Sequence, residues 1–355
     1  MIYIYGLSGL EQGFAKYSHV VKENVIETNL FLFKLVIGSI IIVSFISSIF
    51  LIYYYNSISI NFFLLIVTSV CMSSLLFLYS IFRINSNFVI AQLLQNGFKI
   101  ILFFIALLLL VLKRFYKNEI IFLVMLSIII TFIFGILKLK KMRFVFVDTT
   151  TRNTILVSGV FFLIATATFS IINFADRYLI ENKFGLAVVG DYFYLSNIFL
   201  APFSILQGYI GFKKLVHYKN SFTIENFKKN NRTNLIYGFL LSILLIIFYF
   251  LIIEIGIGTF DFLKYKTVFI LLLLLGIAKI YSSGIYPAFD VVIDVKNLKI
   301  AKTTILIISL FILLITFFYA KTIEIIISSL IIVWVIKTLI LRWFLINQET
   351  NNNFE

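Results

Sequence analysis

Four kinds of residue are scarce in this chain of 355 residues: one cysteine, two prolines, two histidines and 16 carboxylates. A lone cysteine, Cys71, closes no internal disulfide, which excludes a stapled extracellular scaffold. The histidines, His19 and His217, stand far apart. No metal-ligand spacing, phosphate-cradling glycine loop or nucleophile-base arrangement accompanies them, so no catalytic, cofactor or metal residues are assigned. Two prolines and 16 glycines are too few for a loop-rich fold. Charge is thin as well. Only 13% of residues are charged, and soluble domains carry about a quarter. What fills the chain instead is a 61% hydrophobic composition with a mean hydropathy of +1.07. Too little polar surface remains to cover a globule in water, so lipid is the solvent this composition requires.

A spanning helix needs roughly 20 mostly apolar residues. Ten runs meet that need: Leu30–Tyr54, Asn61–Phe82, Phe88–Leu112, Ile120–Leu137, Thr154–Phe174, Ala187–Phe212, Asn234–Ile257, Thr267–Val292, Thr303–Ala320 and Ile323–Leu341. They are too long and too continuous for barrel strands, which predicts an all-α polytopic membrane protein of about ten spans. The net charge of +14 then sorts by side. With the N-terminus in the cytoplasm, the inner segments hold more than twice as many Lys and Arg as the outer ones. The densest inner segments are Lys138, Lys140, Lys141, Arg143 and Arg152, then Lys213, Lys214, Lys219, Lys228, Lys229 and Arg232. Lys296, Lys299, Lys302 and Arg342 add to the same side. The charge is therefore a topology signal, with both termini cytoplasmic, and no nucleic-acid partner is expected. The basic segments 138–153 and 213–233 read as wide inner loops. The first divides a bundle of four spans (30–137) from one of six (154–344), with a tail at 345–355. Residues 1–29 form a cytoplasmic segment whose apolar start, Met1–Leu10, reads as the end of a spanning helix that begins upstream.

Polar residues inside spans face a bundle interior or a cavity more often than lipid. Helical spacing marks three stripes. Gln92, Gln95, Asn96 and Lys99 share one face of the third run; hydrogen bonding between packed helices is the plainer alternative. Thr166, Ser170, Asn173 and Arg177 share a face of the fifth, with Arg177 either lining a cavity or snorkelling to the interface. Gly276, Lys279, Ser282, Ser283, Tyr286 and Asp290 share a face of the eighth. Lys279 lies halfway along, either in a cavity that accepts an anion or paired with Asp191 or Glu254. Pro202 and Pro287 interrupt the sixth and eighth runs and are candidate bending points. Lys34 and Lys337 read as snorkelling or packing residues.

Two segments carry a family resemblance. Asn173-Phe174-Ala175-Asp176-Arg177-Tyr178-Leu179-Ile180, followed by Phe184-Gly185-Leu186-Ala187-Val188-Val189-Gly190-Asp191-Tyr192, resembles the opening of the second bundle in O-antigen-type polysaccharide flippases. These belong to the multidrug/oligosaccharidyl-lipid/polysaccharide (MOP) exporter superfamily, which also contains the MATE transporters. Gly6-Leu7-Ser8-Gly9-Leu10-Glu11-Gln12-Gly13-Phe14-Ala15-Lys16-Tyr17 is similar to that family's second helix and the turn after it. The resemblance implies a MATE-like fold of two six-helix bundles, of which the first helix and most of the second are missing here.

By function it implies a non-enzymatic transporter in a bacterial cytoplasmic membrane. Such a protein flips undecaprenyl-diphosphate-linked oligosaccharides for O-antigen or capsule assembly, beside membrane lipids, a polysaccharide polymerase and chain-length machinery. Cations suit a diphosphate, and amides and hydroxyls suit sugars. Lys279, Lys99 and Arg177 are the diphosphate candidates, and Gln92, Gln95, Asn96, Asn173, Ser283 and Tyr286 the sugar candidates. The alternatives are a drug or cation antiporter of the same superfamily, which would want buried carboxylates in the first bundle, and a membrane polysaccharide polymerase, which would want a larger outer loop.

Overall fold

The computed structural model describes residues 9–54, 61–112, 117–148, 150–255 and 260–352. Within them the chain forms α1 (Leu10–Tyr17), β1 (His19–Lys22), β2 (Val25–Thr28), α2 (Leu30–Tyr54), α3 (Phe62–Ile84), α4 (Phe88–Leu112), α5 (Lys117–Leu139), β3 (Arg143–Phe146) and α6 (Arg152–Phe184). There follow α7 (Leu186–Phe199), α8 (Ala201–Asn220), α9 (Ile224–Ile255), a 3-10 turn at Leu263–Tyr265, α10 (Lys266–Val292), α11 (Val295–Tyr319) and α12 (Ile323–Asn352). This is a polytopic all-α membrane protein with one small sheet. Eight described helices (α2, α3, α5, α6, α9, α10, α11 and α12) are long and apolar enough to span a bilayer. A ninth span forms if α7 and α8 act together, and α4 is an apolar helix over the third run. Most of Met1–Leu10 lies outside the described residues.

Three boundaries differ from the sequence expectation. The sixth run is broken, since α7 and α8 meet at 49° across Leu200. Pro202 has no N–H to offer the Ile198 carbonyl, and its fixed φ suits a first helical turn, so it starts α8. The expected inner loop 213–233 is almost entirely helical, with α8 and α9 separated only by residues 221–223. Basic side chains on a helix end reach water without unwinding it. The fifth run continues ten residues past Phe174, which puts Asp176 and Arg177 inside α6.

The chain divides into two compact units, Met1–Thr166 and Ala167–Glu355, with the division inside α6. Segment 138–153, expected to link the bundles, is folded into the first unit: β3 pairs in parallel with β2, which pairs antiparallel with β1. Asn29 anchors this sheet. Its Oδ1 caps α2, accepting from the Phe31 N–H at 2.8 Å. Its Nδ2 donates to Asp148 and to the Thr150 carbonyl, each at 3.2 Å. Asn24, at the hairpin turn with φ 61°, accepts from the Asn85 amide at 3.0 Å. In the first unit α3 is the central helix, packed by α2, α4 and α5. Its seam with α2 is lined by small polar residues, as is common between spanning helices. Ser44 and Ser73 are hydrogen-bonded at 3.3 Å, and Ser48 donates to Ser69 at 3.3 Å.

In the second unit α10 is central, packed by α7, α8, α9 and α12. Glycines bring those neighbours close. A Cβ on Gly276 would overlap the Phe203 ring of α8, and one on Gly284 would stand 2.6 Å from the Asn234 amide of α9. Toward one end, Tyr249 and Phe269 stack at 4.1 Å. Phe199 closes edge-on over Phe269, the tilted geometry that aromatic pairs prefer.

Gly276→Ala is expected to destabilise the purified protein by about 1–3 kcal/mol, as overpacking does. Phe203→Leu in the same chain should recover most of that loss. Gly208→Ala, at a glycine with open space around its Cβ site, should leave the thermal midpoint unchanged or raised.

Candidate functional site

The carboxylates of the Asp176-Arg177 and Gly190-Asp191-Tyr192 motifs join helices. Tyr192 donates to Asp176 at 2.6 Å, fastening α7 to α6, and Tyr265 donates to Asp191 at 2.6 Å, fastening the turn before α10 to α7. Tyr192 is fully enclosed, and Asp176 also accepts the Arg177 N–H at 2.8 Å. The Arg177 guanidinium lies 5.0 Å from the Phe193 ring and 5.6 Å from that of Phe174.

A group of buried cations and aromatic rings sits between α10, α11 and α12. Lys302 on α11 forms an ion pair with Asp290 on α10 at 2.7 Å, with Lys302 only 3% exposed. The same ammonium is 5.2 Å from the Phe289 ring and 5.4 Å from that of Tyr286. Lys337 on α12 is also 3% exposed, yet its Nζ has no hydrogen-bond partner among the described residues. Three rings enclose it instead: Tyr286 at 4.3 Å, Trp334 at 4.4 Å and Phe169 at 5.0 Å. Lys279 on α10 lies 5.5 Å from that same Trp334 ring, within the electrostatic reach of Asp176, Arg177 and Lys337. The Tyr286 hydroxyl is buried and likewise without a partner.

Magnitudes explain how such a site persists. A lysine at the centre of a spanning helix costs about 2.5–3.5 kcal/mol on insertion scales. A desolvated cation over an aromatic face recovers up to about 2 kcal/mol, so three rings offset the charge of Lys337. They leave its N–H donors unmatched, and the buried Tyr286 hydroxyl adds another. Unmatched N–H donors on a buried ammonium are chemically suited to an anion.

Of the residues expected from the sequence, the second unit brings Lys279, Arg177 and Tyr286 into this group, with Asn173 half-buried one turn before Arg177. Ser283 is buried and donates to the Ile280 carbonyl at 2.5 Å, so its hydroxyl is already used. Pro287 lies within an unbroken α10, and Pro202 at the start of α8. Lys279 does not pair with Asp191 or Glu254: Asp191 is held by Tyr265, and Glu254 is exposed. In the first unit, Asn96 donates to Gln92 and Lys99 donates to Asn96, each at 3.1 Å, a ladder along α4 with Lys99 exposed and Gln95 half-buried beside it.

Lys337, expected to snorkel or to pack, is packed, and what sequence reasoning misses is the cage of rings around its ammonium. Its signal is Trp334 one turn earlier, one of only two tryptophans in the chain. Lys302 falls in a loop by hydropathy, but α11 begins at Val295 and carries it into the interior.

No protein-family model matches the sequence, and no curated protein matches it. Among solved structures, the whole chain superposes on 86% of a chain described as the outward-facing conformation of a multidrug resistance MATE family transporter of the MOP superfamily. The TM-score is 0.65 and the identity 12%. The chain thus has the fold of that transporter.

Removing one partner of a buried ion pair costs about 3–5 kcal/mol, whereas replacing both by apolar residues is often neutral. Asp290→Ala should therefore lower the thermal midpoint sharply in detergent, and Asp290→Leu with Lys302→Met should restore it. Lys337→Met, which removes an unpaired charge, should leave stability equal or higher.

Proposed function

We propose that this protein is a membrane transporter that flips undecaprenyl-diphosphate-linked oligosaccharide repeat units across a bacterial cytoplasmic membrane for surface polysaccharide assembly. One observation carries the reading. Among the described residues of the second-unit group, four cations (Arg177, Lys279, Lys302 and Lys337) stand against two carboxylates, Asp176 and Asp290. Both carboxylates are already engaged, Asp176 by Tyr192 and Asp290 by Lys302. The surplus positive charge suits a cargo with a diphosphate.

In this reading Lys279, Lys337 and Arg177 attract the diphosphate. Tyr286 and Asn173 meet sugar hydroxyls, and Lys99 with Gln92, Gln95 and Asn96 is a separate polar ladder in the first unit, suited to the same cargo. Pro202 and Pro287 act as hinges. Polymerase and chain-length proteins are the partners that would use the product, both termini are cytoplasmic, and no chemistry is performed on the cargo.

A drug or cation antiporter of the same superfamily is the second reading, favoured by the multidrug transporter that shares the fold. It requires a free carboxylate where the cation binds. The four apolar runs of the first unit carry no Asp or Glu, which favours the anionic cargo.

A hydrogen bond to a charged group is worth about 1.5–3 kcal/mol, so Lys279→Ala and Lys337→Met should each reduce export roughly tenfold or more while membrane levels stay normal. Deleting the gene should leave lipid-linked repeats on the cytoplasmic face, and the wild-type chain should clear them. Normal export by both variants would remove the cations from the mechanism. Loss of cationic-dye efflux on deletion, with surface polysaccharide intact, would favour the antiporter.

A further inference from the structure

The second unit holds a groove of about 740 Å³ that the transport reading does not use. Ile300 and Thr304 of α11 form one wall, and Leu339, Arg342, Trp343 and Ile346 of α12 form the other. The α12 residues follow at i, i+3, i+4 and i+7 and so share one helix face. On α11, Lys296, Ile300 and Thr304 follow at intervals of four, so exposed Lys296 lies one turn beyond the groove on the same row. The volume falls within the range of about 300–1,000 Å³ seen for small-molecule sites.

The walls are hydrocarbon apart from Thr304 and one cation. Arg342 is half-buried and donates to the Tyr281 hydroxyl of α10 at 2.6 Å. That bond fixes the guanidinium at the groove and uses one N–H of five, leaving the planar fork for another acceptor. Trp343 is 58% exposed and lies edge-to-face with Phe344 at 4.9 Å. An amphipathic ring of this kind sits at headgroup level. All of this lies at the α11 N-terminal end, which the distribution of basic residues assigns to the cytoplasm. A basic pocket between spanning helices on that side suits an anionic lipid headgroup, with the apolar walls taking its chain.

We propose that the α11–α12 groove is a binding site for an anionic glycerophospholipid, whose phosphate meets Arg342 and Lys296 and whose acyl chain lies against Ile300, Leu339 and Trp343. The site is independent of the cargo assigned above.

Native mass spectrometry of the full chain, extracted in mild detergent and offered phosphatidylglycerol or phosphatidylcholine, tests it. The expected result is retention of phosphatidylglycerol over phosphatidylcholine. Arg342→Gln and Lys296→Gln should each weaken that preference roughly fivefold, equivalent to about 1 kcal/mol per basic residue near the surface. Ile300→Trp keeps both cations and narrows the groove, so it should weaken lipid retention even if Arg342→Gln folds poorly. Equal retention of the two lipids, or retention unchanged in Ile300→Trp, would overturn the proposal. Undecaprenyl phosphate displacing phosphatidylglycerol from the wild type at equal concentration would also overturn it, by giving the groove to a prenyl lipid.

Discussion

Helix α10 is under a constraint that the rest of the second unit answers. It is the most enclosed of the described spanning helices, and one face carries Lys279, Ser282, Ser283, Tyr286 and Asp290. Pro287 adds a further demand, because it cannot donate to the Ser283 carbonyl one turn earlier. Each neighbour supplies part of the solution. α8 contributes Gly211, whose missing side chain lets backbone approach that carbonyl. α9 sets Asn231 and Asn234 against Gly284, α11 brings Lys302 to Asp290, and α12 brings its tryptophan. Without water, such groups must find partners in protein, and irregular or polar stretches persist only where protein encloses them.

The two buried lysines of α11 and α12 answer the same cost differently. Lys302 is neutralised by a carboxylate and cushioned by rings, an arrangement complete in itself. Lys337 has rings alone, which stabilise charge without accepting its protons. The first is architecture. The second keeps hydrogen-bonding capacity in reserve, and that difference separates a structural cation from one available to a ligand.

The broad plan could be read from composition because lipid tolerates few solutions: long apolar runs must be helices. Local breaks were less visible. Hydropathy alone does not distinguish one straight run over Ala187–Phe212 from two helices meeting at 49°, although Pro202 marked the place. Helix ends in water escaped too, since basic residues of the expected loop 213–233 are as content on helical turns as on coil. For the site, periodicity found the stripe on α10 because all its members lie on one helix. It could not find Lys337, whose cage is assembled from α6, α10 and α12 by tertiary packing. Asp176, Tyr192 and Asp191 were visible as motif residues, but their roles as fasteners depend on partners 16 to 74 positions away.

The small sheet of the first unit has a consequence for the order of biosynthesis. Hairpin β1–β2 involves neighbouring residues and can close once Thr28 has emerged from the ribosome. The other edge of β2 pairs with Arg143–Phe146, and four helices separate the two in the chain. Until those helices have been synthesised, β2 presents unpaired N–H and C=O groups, an edge on which any extended chain can add. Pairing between strands so distant in sequence is also slow in itself. The hairpin therefore waits with one open side, and the arrival of β3 both seals that edge and fastens the start of α2 to the chain that follows α5.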